Sequence, residues 1–172
     1  AGAGSGAGAE GDADRSEATK YNKKTILAYT PRRSSDRHQF CTLGQGSLCA
    51  WDQKRGEYAR VKERSGQEGY FQSLVYIEDL RVYFISSMDM YVYVFSQGLE
   101  LVNKIFAGER AITQIEYDRA SRVLYTGSVD GLAAWKITFK KANSILGSVK
   151  GTYGLKMLHR FAQCDPWVTK MR

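Results

Sequence analysis

Short apolar runs recur along the chain from residue 21 onward, separated by Gly, Asp and Ser, and none has the 3.6-residue period of an amphipathic helix. Runs of this length that are rich in Val, Ile, Leu, Tyr and Phe predict β-strands joined by tight turns. Residues 1–20 differ, because they are rich in Ala and Gly and contain no large apolar side chain. We therefore predict an all-β protein preceded by a flexible acidic tail over residues 1–20.

An internal repeat groups the predicted strands into units. Residues 42–51 align without gaps with residues 85–94 and 126–135, at offsets of 43 and 41 residues. Each copy combines a strand, a tight turn and a second strand, and a period of about 40–45 residues is the sequence signature of β-propeller blades. We therefore predict about three four-stranded antiparallel blades and the first strand of a fourth, which together form an incomplete propeller.

The repeat assigns boundaries to the units and to their strands. The predicted division is the tail over 1–20, blades over 21–66, 67–108 and 109–161 with an insertion at 138–154, and the start of a further blade over 162–172. Predicted strands of the first two units lie at 25–29, 38–43, 48–52 and 57–62, and at 70–76, 81–86, 91–95 and 99–106. Those of the third unit lie at 111–117, 122–127, 132–137 and 155–161, and residues 167–172 open the next unit. Closed propellers have about four to eight blades, so we expect the chain to be a fragment of a longer protein.

Several residues have structural roles that follow from their place in the repeat. Trp51 and Trp135 occupy the same repeat position, which favours packing between blades over ligand binding. Asp130 precedes Gly131 in a predicted hairpin turn, and Asp89 occupies the equivalent site. Because neighbouring blades cover both faces of a sheet, inner strands should be apolar at nearly every position, as residues 91–95 are.

The third copy of the repeat carries a family resemblance. It reads Thr126-Gly127-Ser128-Val129-Asp130-Gly131-Leu132-Ala133-Ala134-Trp135, and the first copy ends at Trp51, which Asp52 follows to give a Trp-Asp dipeptide. In these residues, and over about 21–172, the chain resembles the WD40-repeat family. The resemblance implies a β-propeller that serves as a rigid, non-catalytic interaction platform. It also implies a set of structural repeat positions, namely Trp51, Asp89, Ser128, Asp130 and Trp135.

The chain departs from the WD40 pattern at identifiable positions. The second copy has Val94 where the family has Trp, and the first has Gly46 where the family has Asp. The Gly-His pair that usually opens a repeat is also missing from the sequence. The repeats are therefore divergent, and the hydrogen-bonded network that the family builds from His, Ser or Thr, Asp and Trp is expected to be partial.

The charge distribution suggests where a partner would bind. The net charge is +7, and because residues 1–20 carry four acids and two bases, the rest of the chain is +9. In a four-stranded antiparallel unit, the connections between strands one and two and between strands three and four lie at the same end of the sheet. Eight bases fall in such connections, and we name this end of the sheets the basic rim: Arg32, Arg33, Arg37, Lys54, Arg55, Lys140, Lys141 and Lys150. The alternative that these bases only keep the surface solvated stays open.

The sequence offers little for catalysis. Cys41, Cys49 and Cys164 form no CxxC pair, so neither a disulfide framework nor a zinc site follows. His38 and His159 fall in predicted strands away from any nucleophile motif, and there is no phosphate-binding loop with its strand and helix. We therefore predict a protein that is not an enzyme, with no cofactor and no metal site.

The expected function is that of a scaffold subunit that binds other proteins within a larger assembly. The chain has neither an apolar run long enough to cross a membrane nor a signal peptide, so we expect an intracellular, cytoplasmic protein. By analogy with the family, the assembly would be cytoskeletal or ciliary, such as an axoneme, where acidic tubulin surfaces would suit the positive charge. The alternative is a nucleic-acid-associated propeller of a ribonucleoprotein. An enzyme whose active residues lie outside this chain is the least favoured reading.

Overall fold

All regular structure in the described part of the chain is β-strand. The computed structural model describes residues 26–34, 37–44, 47–54, 57–65, 70–141 and 151–161, so the predicted tail and the predicted strand at 167–172 lie outside the described residues. The first sheet contains β1 (Ile26–Ser34), β2 (Arg37–Gly44), β3 (Ser47–Lys54) and β4 (Glu57–Ser65). The second contains β5 (Phe71–Ile77), β6 (Val82–Ser87), β7 (Tyr91–Ser96) and β8 (Leu101–Phe106). The third contains β9 (Ile112–Asp118), β10 (Val123–Ser128), β11 (Gly131–Lys141) and β12 (Gly151–Phe161).

Each sheet is an antiparallel meander in which strands follow one another in sequence order. The prediction of an all-β chain with antiparallel four-stranded sheets is therefore confirmed. Several strands are longer than predicted, by the largest margins β1, β11 and β12. β1 continues to Ser34 rather than ending at residue 29. β11 and β12 extend over both ends of the predicted insertion at 138–154, because their backbones stay paired as far as Lys141 and Gly151.

The second sheet lies between the other two and is covered on both faces. Its strand β6 is buried at every position, and the four central residues of β7 are buried as well. Side chains alternate between two cores along each strand, as the two-residue period of a strand requires. Phe84 and Val94 belong to the core shared with the third sheet. Tyr83 and Phe95 belong to the core shared with the first sheet.

The sheets meet along equivalent strands. β5 contacts both β1 and β9, which are the first strands of the neighbouring sheets, and β8 contacts β12, which is the fourth strand of the third sheet. A pair of hydrogen bonds joins these last two strands. The Asn103 side-chain amide donates to the Tyr153 carbonyl at 2.8 Å, and the Tyr153 N–H donates to Asn103 Oδ1 at 3.2 Å. The second and third sheets are thus joined at both their first and their fourth strands.

The repeat also appears in the backbone of the turns. Arg81 and Arg122, which are 41 residues apart, end the turns before β6 and β10 with φ angles of 54° and 57°. Met90 and Gly131, again 41 residues apart, precede or begin the third strands of their sheets with φ angles of 71° and 113°. Equivalent turns therefore have positive φ angles at equivalent positions, whichever residue stands there.

Candidate functional site

Two tryptophans at equivalent repeat positions make the same hydrogen bond. Trp51 Nε1 donates to Thr42 Oγ1 and Trp135 Nε1 donates to Thr126 Oγ1, both at 2.8 Å. Both residues of the second pair lie 84 residues after those of the first. Trp135 is buried at 5% exposure among side chains of the second and third sheets, whereas Trp51 is half-buried and stacks on Phe40. These contacts give both tryptophans a packing role.

The predicted turn residues belong to similar serine-centred turns. Ser128 Oγ accepts a hydrogen bond from the Asp130 N–H at 3.2 Å, and Ser87 Oγ accepts one from the Asp89 N–H at 3.5 Å. The Asp89 carboxylate also accepts hydrogen bonds from the Tyr91 N–H at 3.3 Å and the Tyr93 hydroxyl at 2.5 Å. These hydrogen bonds hold the turn that leads into β7, so Asp89 is engaged in the fold.

The first sheet places its bases of the basic rim in strands rather than in loops. Arg32 and Arg33 lie within β1, opposite Gln39 and His38 of β2. Arg37 is the first residue of β2 and lies opposite Ser34, the last residue of β1. Lys54 is the last residue of β3 and lies opposite Glu57 in the strand register. Arg55 and Lys150 lie outside the described residues.

The third sheet presents its bases on an extended hairpin. β10 pairs with β11 only as far as the pair Val123 and Lys136, so residues 137–141 pair with β12 alone. Lys140 and Lys141 end this extension and are exposed. The extension rests on Tyr153, whose ring contacts Phe139 at 5.0 Å between centroids and Phe84 of the second sheet at 5.9 Å. Burial raises the pKa of the Tyr153 hydroxyl, as expected for a ring inserted between two sheets.

Acidic residues lie on the basic rim between these two groups of bases. The turn before β6 carries Glu78 and Asp79, and Arg119 of the turn before β10 donates to Glu78 at 3.1 Å and to Asp79 at 3.4 Å. Hydrogen bonding to Asp79, together with the charges of both carboxylates, raises the pKa of the Arg119 guanidinium. The described part of this rim is therefore mixed in charge. The prediction of a basic rim considered only the bases of these connections and left out Glu78 and Asp79, which lie in the same set.

The Asp118 carboxylate stabilises the turn before β10. Asp118 accepts hydrogen bonds from the Ser121 hydroxyl at 2.5 Å and from the Ala120 N–H at 2.9 Å. These two donors, the hydroxyl first, lower the pKa of the Asp118 carboxyl because both stabilise its charged form. Beside this turn and the one before β6 lies a cleft of about 210 Å³, with Tyr76, Tyr117 and the Arg119 ion pairs in its wall. The turns before β6 and β10 are thus held in place by their own hydrogen bonds and ion pairs.

The residues considered for catalysis are dispersed among the sheets. His159 lies exposed in β12 with its ring 4.3 Å from that of Phe161, and His38 lies in β2. Burial, reinforced by the nearby Cys49, raises the pKa of the Cys41 thiol, so its reactive thiolate is disfavoured. Within the ranges that the structure describes, no group of three or more His, Cys, Asp and Glu could hold a metal ion. Cys164 lies outside those ranges.

Among the described residues, no helix has the length and hydrophobicity needed to cross a bilayer.

Comparison with other proteins adds no family assignment. No protein-family model matches the chain, and no curated protein is significantly similar to it in sequence.

Proposed function

We propose that the three sheets are blades of a WD40-type β-propeller and that the chain is a non-catalytic scaffold that docks other proteins. The observation that carries the proposal is the contact pattern between sheets. First strands β1, β5 and β9 adjoin in order, and fourth strands β8 and β12 adjoin as well. Blades arranged around an axis place their first strands together at the centre and their fourth strands at the circumference.

The equivalent hydrogen bonds support the same reading. A repeat architecture uses one supersecondary unit several times, so each unit should reuse the contacts that hold it together. The Trp51–Thr42 and Trp135–Thr126 bonds meet that expectation, as do the paired left-handed turn residues Arg81 and Arg122. The scaffold role follows by analogy with the family, and the analogy extends to a cytoskeletal or ciliary assembly.

The docking surface that we propose on the basic rim is centred on the extended hairpin. Lys140 and Lys141 are exposed at its end, and the base of the hairpin is held to the second sheet through Tyr153. A pair of lysines on a supported extension can approach an acidic surface without moving the sheets. The partner chemistry that suits them is an acidic protein surface, for which tubulin is the specific candidate.

Charge reversal on the hairpin tests this docking. In a microtubule co-sedimentation assay at low salt, the double variant K140E/K141E should bind roughly tenfold more weakly than the unaltered 172-residue chain, because rim charges govern encounter with a charged partner. The matched control is K136E/K156E, which makes the same charge change. Lys136 and Lys156 face each other across β11 and β12, are exposed and lie away from the hairpin tip. The control should keep most of the binding.

Three results would contradict the proposal. One is equal loss in the two double variants, which would indicate a response to net charge alone. Another is unchanged binding to microtubules whose acidic terminal tails have been removed, since those tails supply the complementary charge. The third is release of the chain from its complexes by nuclease, which would favour the nucleic-acid alternative. Melting temperatures of both variants should stay near that of the unaltered chain, because exposed charges contribute little to stability.

A further inference from the structure

The third sheet has one face toward the second sheet and one face away from it. Leu124 and Trp135 lie opposite each other in β10 and β11, and both belong to the core shared with the second sheet. Side chains alternate between the two faces along a strand. The adjacent residues Tyr125 and Ala134, which also lie opposite each other, therefore point away from the second sheet. We name this surface the outer face of the third sheet.

Strand register arranges the outer face in three rows that cross the sheet from β9 to β12. The middle row consists of Glu116, Tyr125, Ala134 and His159. The row on one side of it contains Gly127, Leu132 and Phe161. The row on the other side consists of Asp118, Val123, Lys136 and Lys156. The His159 and Phe161 rings lie 4.3 Å apart, as expected for side chains two residues apart on the same face.

Charge on the outer face is divided between its two edges. Glu116 and Asp118 lie on β9, whereas the bases lie on β11 and β12, namely Lys136, Lys156 and His159. All five residues are exposed. Partial burial raises the pKa of the Glu116 carboxyl, so a positive group placed over it would stabilise its charged form. The outer face is thus acidic at the first strand and basic at the third and fourth strands.

The second sheet provides an internal comparison for this division of charge. Val75 and Ile77, which lie 41 residues before Glu116 and Asp118, pack in the core shared with the third sheet. The covered face of the second sheet therefore has an apolar first strand, whereas the outer face of the third sheet has an acidic one. Carboxylates are seldom buried unless they are paired. A surface that covers the outer face should accordingly place bases over β9.

Bulky and small side chains lie side by side at the centre of the outer face. In the middle row the half-buried Tyr125 of β10 lies beside Ala134 of β11. In the next row the order is reversed, because Gly127 lies on β10 and the half-buried Leu132 on β11. Among the described residues, Tyr125, Leu132 and Ala134 belong to neither of the two hydrophobic cores. Each middle strand thus presents one bulky and one small position.

We propose that the outer face packs against the outer face of a second copy of this chain, about a twofold axis that runs parallel to the strands. This axis places β9 of one copy over β12 of the other, and β10 over β11, with the rows in register. Glu116 then lies over His159 of the other copy, and Asp118 over Lys156. At the centre Tyr125 lies over Ala134 of the other copy and Leu132 over Gly127, so each bulky side chain meets a small one.

The charge pattern selects this axis over the other twofold arrangement of two stacked sheets. A twofold contact uses the same surface on both copies, so that surface must be complementary to itself. An axis perpendicular to the strands would place β9 over β9 and bring the acids of both copies together. It would also place β12 over β12, with His159 over His159. Like charges at close range oppose association, whereas the axis parallel to the strands pairs acids with bases at both edges.

The dimensions of the outer face predict a weak dimer. Four strands at roughly 4.8 Å span about 14 Å, and six residues along a strand span about 20 Å. Such an area lies at the small end of specific interfaces, so we expect a Kd on the order of 10 μM. The dimer goes beyond the proposed scaffold function and does not rest on it, because the outer face is the flat side of a sheet and the basic rim lies at the ends of the sheets.

Sedimentation equilibrium of the complete 172-residue chain measures the dimer. Glu116→Lys places a base over His159 of the other copy, and His159→Glu places an acid over Glu116. Each variant alone should therefore dimerise at least tenfold more weakly than the unaltered chain. In an equimolar mixture of the two variants the altered residues face each other with opposite charge, so a heterodimer should form with nearly the original Kd. This rescue also shows that both variants are folded.

Control variants make similar charge changes away from the outer face. Glu100→Lys alters an exposed residue of the turn before β8, and Arg160→Glu alters the neighbour of His159 that points to the other side of β12. Both should leave the dimer Kd within about twofold. Tyr125→Ala should weaken dimerisation at least tenfold, because it removes the bulky side chain at the centre. The microtubule assay uses chain concentrations well below the dimer Kd, so that loss of the dimer does not affect the K136E/K156E control.

Four results would overturn the proposal. One is a monomer at every concentration up to about tenfold above the expected Kd. Another is a dimer whose Kd is the same in the Glu116→Lys, His159→Glu and Tyr125→Ala variants, which would place the contact elsewhere. Failure of the mixed variants to restore the dimer would exclude this arrangement of the two sheets. The last is a monomer whose amides in β10 and β11 resist hydrogen exchange through the presence of residues 162–172, which would assign the outer face to that segment.

Discussion

At the scale of single residues, one side-chain hydrogen bond recurs in the first and third sheets. A buried indole N–H needs an acceptor, and Thr126 supplies one for Trp135 while Thr42 supplies one for Trp51. The ungapped repeat aligns Ile85 and Val94 of the second sheet with this pair, but Ile85 belongs to the core shared with the first sheet and Val94 to the core shared with the third. The second sheet therefore has no counterpart of the Trp–Thr contact.

Removing the threonine acceptor alone should therefore destabilise the protein, and more strongly in the third sheet than in the first. We expect Thr126→Val to lower the free energy of unfolding by about 1–3 kcal/mol, because it leaves the buried Trp135 N–H unpaired. Thr42→Val should cost about 1 kcal/mol or less, because Trp51 is only half-buried and its N–H can reach water. Urea unfolding followed by tryptophan fluorescence measures both. Equal losses at the two sites would show that burial of the indole does not set the cost.

At the scale of elements, the internal repeat is most evident in the hairpin turns. Residues with positive φ recur at Arg81 and Arg122, and again at Met90 and Gly131. Sequence patterns predicted these hairpins, since Gly, Asp and Ser punctuate the apolar runs. They did not predict which non-glycine residues adopt positive φ, because that conformation is imposed by pairing of the flanking strands.

Gly131 has the most demanding of these conformations. A φ angle of 113° lies beyond the small left-handed region open to other residues. Gly131→Ala should therefore lower the free energy of unfolding by about 1 kcal/mol or more, measured by thermal and urea unfolding. Gly98→Ala is the matched control, since a Cβ there would make only an ordinary 3.7 Å contact with Ser96 Oγ. A Gly131→Ala variant as stable as the control would contradict the backbone argument.

The ends of β11 and β12 show where prediction from sequence stopped. Residues 151–154 contain two glycines and were assigned to an insertion, as local composition suggests. In the structure these glycines face bulky cross-strand neighbours. A side chain at Gly151 would overlap the Phe139 ring, and one at Gly154 would crowd Thr138 Oγ1. The strand pairing therefore depends on cross-strand fit and on Asn103 of another sheet, neither of which is visible in a local window.

At the scale of the whole molecule, the second sheet joins two separate cores. The prediction that its inner strands are apolar at nearly every position is confirmed by β6 and β7. The sequence alone does not indicate which neighbouring sheet each face of the second sheet contacts. The basic rim shows the same limit: topology predicted which turns share an end, but the pairing of Arg119 with Glu78 and Asp79 depends on how two sheets approach.

Adjacent residues of β6 should consequently stabilise different neighbours. Phe84→Ala removes a side chain from the core shared with the third sheet, and Ile85→Ala removes one from the core shared with the first. We expect losses of about 3–5 and 2–5 kcal/mol respectively, as for large buried truncations. Native-state hydrogen exchange should show faster exchange mainly in β9–β11 for Phe84→Ala and mainly in β2 and β3 for Ile85→Ala. Identical exchange patterns would show that the cores open as one unit.

The same burial on both faces makes β6 and β7 prone to aggregation when the protein is not fully folded. Residues 82–87 and 91–96 contain no charged side chain and no proline, and they are rich in Val, Ile, Tyr and Phe. Segments of this composition can stack into cross-β fibrils when they are exposed. In most sheets a polar face interrupts such a run, but here no face is left to water, so neither strand has a gatekeeper charge within it. Protection against aggregation therefore comes from how quickly the first and third sheets cover the second during folding.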